Sequence, residues 1–398
     1  MNKRKTVFFA SLCLLSYCSL PESEKANKDE ISTKVEVQPI VEKTGLYSRN
    51  GKRLDVLTMK EVYQDVSLDS LDIPVITSKL VRALEYHKEL LVLRKQKKKQ
   101  QIGNLKIELD QLSETIDILI ALQQTQPFNL SEYLDAYQLW GRDRKGNIKF
   151  TGYYTPIIPV SKVKNKIYKY PLYDRPRNWE GAWPSRAQIE GQGAFDSLGL
   201  ELAYAQNKVD IYYMQVQGSG YVEYPNGKRE LFEYNGNNKH PYRSIEKFIL
   251  SREDISLGNL SINGIKNYLW RHPEIADTVL FSNPSYTFFA PKSSLPKGAG
   301  HVPLTAHISI AVDKRYIPLG SCLLAAVPIY DKEERKVTGH EFRFLLAQDV
   351  GGAIKGPGHV DLYTGIGEEA RKQAETIHHF GQIWLLLPKP PSAKFTSN

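Results

Sequence analysis

The sequence predicts a mainly β protein built around a barrel, and three observations carry that expectation. From Phe150 onward, short runs of partly alternating polar and apolar residues follow one another, separated by Gly, Pro and Asn. These runs do not alternate with helices, which favours a barrel over a parallel α/β sheet. The one long helical region lies earlier, at 78–125.

The chain has 398 residues, 41% of them apolar and 24% charged, enough for two domains or for one domain with a large insertion. Lys3, Arg4 and Lys5 precede an apolar run from Val7 to Tyr17 that is too short to span a bilayer. Cys18 follows, so residues 1–18 read as a lipoprotein-type signal with Cys18 as the acylated residue; plain cleavage nearby is the alternative. Either route takes the chain out of the cytoplasm. Residues 19–45, rich in charge and poor in aromatics, read as a tether. Cys13 and Cys18 belong to the signal, which leaves Cys322 alone in the body, read as a buried core residue within SCLLAAVPIY.

In the 78–125 region, Leu105, Leu109, Leu112, Ile116 and Leu119 repeat at helical spacing. Leu80, Leu84, Leu90 and Leu91 mark a second helix, so a helical hairpin packed on the body is expected. Arg94, Lys95, Lys97, Lys98 and Lys99 cluster in the same helical stretch. The net charge of +9 is otherwise scattered, and no zinc-finger, helix-turn-helix or RNP pattern accompanies it. No nucleic-acid partner is therefore expected, and a basic surface equally suits an anionic wall polymer.

The β-rich block begins with IKFTGYYTPIIPV and KIYKYPLY and continues through VDIYYMQVQGSGYVEY and KRELFEY. A helical patch follows at Ser244–Leu250 and Ile262–Trp270. Strand-like runs resume at Tyr286–Phe289 and end with QIWLLLP, with a helical run EEARKQAETIHHFG before it. No internal repeat is present. Tyrosine is frequent, with 23 residues, which suits either a β-rich core or an extended polar ligand such as a glycan.

Chemistry concentrates in Leu345–Gly365, LLAQDVGGAIKGPGHVDLYTG. Asp349 and Asp361 sit there among glycines that permit tight turns or close approach of a ligand. Lys355 and His359 lie nearby, a setting in which a carboxyl can be tuned for proton transfer. Asp349-Val350-Gly351 is a weak match to an aspartic-protease triplet, with no second copy. His359 and Asp361 could begin a metal site, but no third ligand stands at a persuasive spacing. Gly218-Ser219-Gly220 is not a nucleophile elbow, and no phosphate loop is present. On these residues alone the two acids stay ambiguous.

Taken in order, the motifs say more. Phe150–Pro156 (FTGYYTP), Gln215–Gly220 (QVQGSG), Tyr242–Ile245 (YRSI), Asn283–Phe289 (NPSYTFF), Pro303–Thr305, Ile317–Gly320 and Ala347–Gly365 resemble the membrane-bound lytic murein transglycosylase A family, over about residues 130–390. The resemblance implies a double-psi β-barrel catalytic domain from 46–156 and 283–390, with a smaller β-domain inserted at 157–282 and a groove between them. It implies cleavage of the MurNAc–GlcNAc β-1,4 bond of peptidoglycan to a 1,6-anhydro-MurNAc end, with one carboxyl serving as acid and then as base. That carboxyl maps to Asp361 in His359-Val360-Asp361, with Asp349 as its neighbour in the catalytic pair. Tyr154, Thr155, Gln217, Ser219, Lys355 and His359 are the expected substrate contacts, core packing being the plainer reading of Tyr154. Tyr286, Phe288 and Phe289 are expected to pack the barrel. The expected partners are glycan strands and, through lipidated Cys18, the outer membrane facing the periplasm; a monomer without cofactor or metal is expected. An expansin-like glycan binder without turnover is the alternative. One departure stands out: where the family commonly has an Arg just before Ser309–Asp313, this chain has His307-Ile308.

Overall fold

The structure is a computed structural model that describes residues 62–390 except 94–98, 126, 259, 293–294, 332 and 335. The signal, Cys18, the tether and most of the basic cluster lie outside the described residues. The chain opens with β1 (Tyr63–Val66), α1 (Ser78–Leu93), β2 (Lys99–Ile102), β3 (Leu105–Glu108) and α2 (Leu109–Leu122). β4 (Leu134–Leu139), β5 (Ile148–Thr155), β6 (Ile157–Ser161), β7 (Tyr170–Tyr173) and β8 (Glu201–Ala205) follow. Next come α3 (Lys208–Gln217), β9 (Gly220–Glu223), β10 (Arg229–Asn237), α4 (Ile245–Leu250), α5 (Ile262–Arg271) and α6 (Pro273–Phe281). β11 (Thr287–Lys292), β12 (Ser309–Ala311), β13 (Cys322–Asp331), β14 (Lys336–Asp349), β15 (His359–Ile366), α7 (Gly367–Ala374) and β16 (His378–Pro388) complete it.

The larger sheet runs β1-β4-β16-β13-β14-β12-β15-β5, and β16 also pairs with β5. That extra pairing closes β16, β13, β14, β12, β15 and β5 into a ring, in which each strand has a hydrogen-bonded neighbour on both sides along part of its length. Closure requires close approach at Gly381, which pairs with Ile148 of β5 while its neighbour Gln382 pairs with Ala326 of β13. A Cβ there would collide with the Ala326 carbonyl and stand 2.8 Å from the Phe150 ring. The core inside and around this ring includes Phe150, Ile310, Leu324, Leu346, Leu362 and Leu385, all fully buried.

Two helices form in the 78–125 region, although Leu105 of the predicted stripe lies in β3 and not in α2, and α1 and α2 meet through the Lys88–Asp117 pair at 2.5 Å. The link between them differs from a plain helical hairpin: β2 and β3 form a ribbon, with Lys99 in a strand. Gly103 (φ +57) opens the two-residue turn with Asn104, the place where a ribbon turn wants glycine. Asn104 then ties the ribbon to β1, its side chain accepting the N–H groups of Val62 and Tyr63, each at 3.2 Å. Helix α2 starts only after this, behind a capping box of Glu108 and Gln111.

The smaller sheet runs β11-β10-β9-β6-β8-β7. The chain enters it from β5 across Pro156, whose carbonyl accepts the Tyr221 N–H at 2.8 Å. β11 belongs here too, antiparallel to β10, although the sequence reading gives residues from 283 on to the barrel. Tyr286 and Phe288 accordingly pack with Tyr173, Ile189 and Phe195, and Phe289 with Phe232, so they are core residues of the second sheet and not of the barrel. Lys208–Gln217, within a run read as strand-like, is helix α3: Asn207 caps Val209 N–H at 2.8 Å and Gly218 (φ +88) ends it. His378 and His379, read as helical, begin β16 instead.

Gly381→Ala is expected to lower unfolding stability by about 1–3 kcal/mol, because the obstacle is backbone that cannot step aside. Urea unfolding measures this, and an unchanged midpoint would show that the ring does not depend on contact at this point.

Candidate active site

A groove of about 720 Å³ lies between the two sheets. The barrel contributes Asp349, Asp361 and the turns 297–301 and 350–355, and the second sheet and its helices contribute Gln215, Gln217, Ser219, Tyr234 and Asn237. The floor is set by β5 and β15, which run parallel in register Thr151↔Asp361 and Tyr153↔Tyr363. Side chains alternate along a strand, so Thr151, Tyr153 and Thr155 share one face of β5, and Asp361 and Tyr363 share one face of β15. Their contacts follow: the Thr151 hydroxyl donates to Asp361 Oδ1 at 2.8 Å, and Thr155 Oγ1 lies 2.8 Å from the Tyr363 hydroxyl. The Tyr153 and Tyr363 rings stand 5.2 Å apart.

Asp361 keeps part of its surface toward the groove, while the walls remove most of its water. That desolvation pushes its carboxyl up to about 7; the Thr151 hydrogen bond works in the other direction, and the charge of Asp349 adds to the rise. Asp361 is thus a carboxylic acid that keeps its proton to near-neutral pH. Asp349 is held differently. Its Oδ1 accepts the N–H groups of Ala299 at 2.7 Å and Val350 at 2.8 Å, and Oδ2 accepts the Tyr153 hydroxyl at 3.1 Å. Gly298 permits this, since a Cβ there would stand 2.7 Å from the Asp349 side chain. One acid is desolvated and the other is tied into the wall.

His359 does not line the groove. Its Nε2 lies 2.9 Å from Thr151 Oγ1, the same hydroxyl that contacts Asp361. Burial first, then Lys149, Arg142 and His378, push it down to about 4, so it is neutral near pH 7. The single Thr151 proton couples these bonds: while it points at Asp361, Nε2–H of His359 must donate to the hydroxyl oxygen. The pair weighed from sequence as metal ligands therefore shares a threonine hydroxyl.

The remaining predicted residues divide. Thr155, Gln217, Ser219 and Lys355 line the groove, Lys355 exposed and Thr155 buried beside Tyr363. Gln217 Oε1 accepts the Tyr154 backbone N–H at 3.0 Å, pinning the end of α3 to β5. Tyr154 borders the groove, but its ring packs against Ala370 and Ala374, the core-packing reading. Sequence reasoning misses Thr151 and Tyr153, although both stand in the FTGYYTP motif. The signal is strand alternation: Tyr154 and Thr155 are neighbours and cannot share a face, whereas residues 151, 153 and 155 must. His307, where the family commonly has Arg, does not line the groove; it holds φ +66 and donates its N–H to the Tyr363 carbonyl at 2.7 Å.

Comparison with known proteins locates this arrangement. A family model described as the MltA specific insert domain matches residues 149–290, and one described as the 3D domain matches 308–387. The chain is 40% identical over 260 residues to membrane-bound lytic murein transglycosylase A of Escherichia coli (strain K12), covering 65% of this chain and 70% of that one. It is 37% identical over 281 residues to the Vibrio cholerae protein of the same name, covering 70% and 74%. Among solved structures, E. coli MltA with bound chitohexaose superposes with a TM-score of 0.71 at 32% identity, over 83% of this chain and 95% of that one. A membrane-bound lytic murein transglycosylase from Agrobacterium tumefaciens gives 0.67 at 26% identity, over 82% and 98%.

Thr151→Val removes a hydrogen bond that favours the charged form of Asp361, so the carboxyl is expected to titrate above its present value of about 7. Thr151→Ser should hold it in place. Infrared or carbon NMR titration of Asp361 reads both, and an unmoved or lowered midpoint in the valine variant would rule the contact out as a tuning element.

Proposed function

The chain belongs to the membrane-bound lytic murein transglycosylase A family, and we propose that it cleaves the MurNAc–GlcNAc β-1,4 bond of peptidoglycan, leaving 1,6-anhydro-MurNAc ends. The observation that supports this reading most directly is Asp361, a single carboxyl kept protonated to near neutrality in a groove of about 720 Å³. In the proposed reaction the Asp361 proton passes to the glycosidic oxygen as the C1–O4 bond breaks and the GlcNAc alcohol leaves. The resulting carboxylate takes the proton of the C6 hydroxyl, whose oxygen closes on C1. Asp361 ends as it began, protonated, and no water is consumed. A proton-transfer role of this kind is worth roughly 10²–10⁴-fold in rate.

The supporting roles follow from placement. Thr151 orients the Asp361 carboxyl and stabilises it in the interval when it is charged; neutral His359 holds Thr151 by the same hydroxyl. Asp349 steadies the turn at the end of β14 and, by its charge, makes Asp361 reluctant to ionise. Gln217, Ser219, Thr155 and Lys355 are proposed to meet the sugars, with the backbone beside Tyr154 completing that wall. The second sheet, from β6 to β11, is proposed as the inserted domain, its boundary lying past Lys292 because β11 pairs with β10. Cys18 is proposed as the lipidated anchor to the outer membrane; no described helix is long and apolar enough to cross a membrane.

Digestion of purified peptidoglycan with the chain lacking residues 1–18 is expected to release anhydro-muropeptides, lighter by one water than hydrolysis products in mass spectrometry. Reducing ends would identify a hydrolase, and no products a binder. The rate should fall as pH rises through about 7, where Asp361 loses its proton. Asp361→Asn should reduce it by about 10²-fold or more, and full activity in that variant would shift the role to Asp349. For the anchor, Cys18→Ala is expected to free the full-length protein from membranes; continued membrane association would rule out lipidation at this residue.

A further inference from the structure

Three turns bring lysines to the barrel side of the groove. Lys297 precedes Gly298, the glycine that lets its turn lie against Asp349. Lys314 follows Asp313, whose carboxylate accepts the Gly356 N–H at 2.8 Å, next to Lys355. Lys297, Lys314 and Lys355 all line the groove and all are exposed, and none of the ammonium groups has an ion pair or hydrogen bond among the described residues. The acids around them are engaged elsewhere. Asp313 pairs with Arg315 at 2.5 Å, Asp349 accepts the three hydrogen bonds described above, and Asp361 holds its proton to near neutrality. The facing wall is uncharged at Gln217, Ser219, Tyr234 and Asn237 and acidic at Glu233; the cation on that side, Arg186, is buried and paired with Glu190 at 2.8 Å.

A groove for a neutral polysaccharide has no use for a cationic wall on one side only. Peptidoglycan differs from a neutral polysaccharide on alternate sugars, where oxygen O3 carries a lactyl group. Its carboxylate is either free or extended by a stem peptide that bears further carboxylates. We propose that Lys297, Lys314 and Lys355 form a carboxylate-binding rim for these O3 substituents, so that the barrel wall reads the MurNAc side of the strand; this rests on the glycan reading above. Exposed ammonium groups suit the task, since they add attraction and orientation without the cost of burying charge. The rim would set which sugar of each disaccharide stands over Asp361.

The test measures binding, with the Asp361→Asn chain so that strands stay intact. Three ligands are compared by calorimetry: a neutral chitin hexasaccharide, a murein strand stripped to its lactyl carboxylates by an amidase, and a murein strand that keeps its stem peptides. The anionic strands are expected to bind about 3- to 30-fold more tightly than chitin at low salt. Near 1 M salt, where the screening length is about 3 Å, that excess should vanish. Lys297→Gln/Lys314→Gln, which spares Lys355 as a sugar contact, should remove most of it, and the double Arg variant at the same two positions should keep it. Excess with both murein strands assigns the rim to the lactyl carboxylate, and excess with the peptide-bearing strand alone assigns it to the stem peptide. Equal affinity for all three ligands, or an equal loss on all three in the Gln variant, overturns the proposal. Failure of the cleavage reading would show separately, as an absence of anhydro products from the wild-type chain.

Discussion

The parallel pairing of β5 with β15 is the interaction on which the rest depends. It joins a strand near residue 150 to one near residue 360, closes one side of the barrel, and fixes Thr151 opposite Asp361 and Tyr153 opposite Tyr363. A slip of one residue would turn the side chains of the slipped strand to the other face and separate both pairs. The register is held by what lies beyond it: Val360 and Leu362 are fully buried in the barrel core, and Gly152 meets the backbone of Ala374, where no Cβ would fit. Core packing on one face of these strands thereby sets the chemistry on the other.

The same wall separates two carboxyls by environment. Asp361 lies where water is scarce and only a hydroxyl favours its charged form. Asp349 sits at a strand end, where two backbone N–H groups and a tyrosine take up its oxygens. Two acids of one type thus have different environments, and neither the spacing between them nor their immediate neighbours in sequence states which is which. Burial of Asp361 runs against stability whenever the carboxyl is charged, the usual cost of taking an ionisable group out of water.

Much of this is legible in the sequence. The strand-like runs, the two helices in 78–125, the groove residues Gln217, Ser219 and Lys355, and the prominence of Asp361 all follow from patterns and motifs. What is not legible has physical reasons. Helix α3 is rich in Tyr, Val and Ile, which locally favour strands, and it is helical because caps at both ends and burial against the second sheet outweigh that preference. The sequence of β11 suits any buried strand, and only its partner, β10, decides that it belongs to the second sheet and not to the barrel. Tyr154 looks as prominent in its motif as Thr151, yet its ring faces the core and the smaller threonine faces the acid.

By itself the sequence determined the family, the β character of the body and the short list of acids. These are properties of local pattern and ordered motifs, which survive without knowledge of contacts. Only the tertiary structure decided that the ring closes at Gly381, that a threonine stands between Asp361 and His359, that Asp349 is spent on amides, and that three lysines from separate turns share one wall. Each of these depends on residues far apart in the chain meeting within a few ångströms, and distance in space is what a linear pattern does not carry.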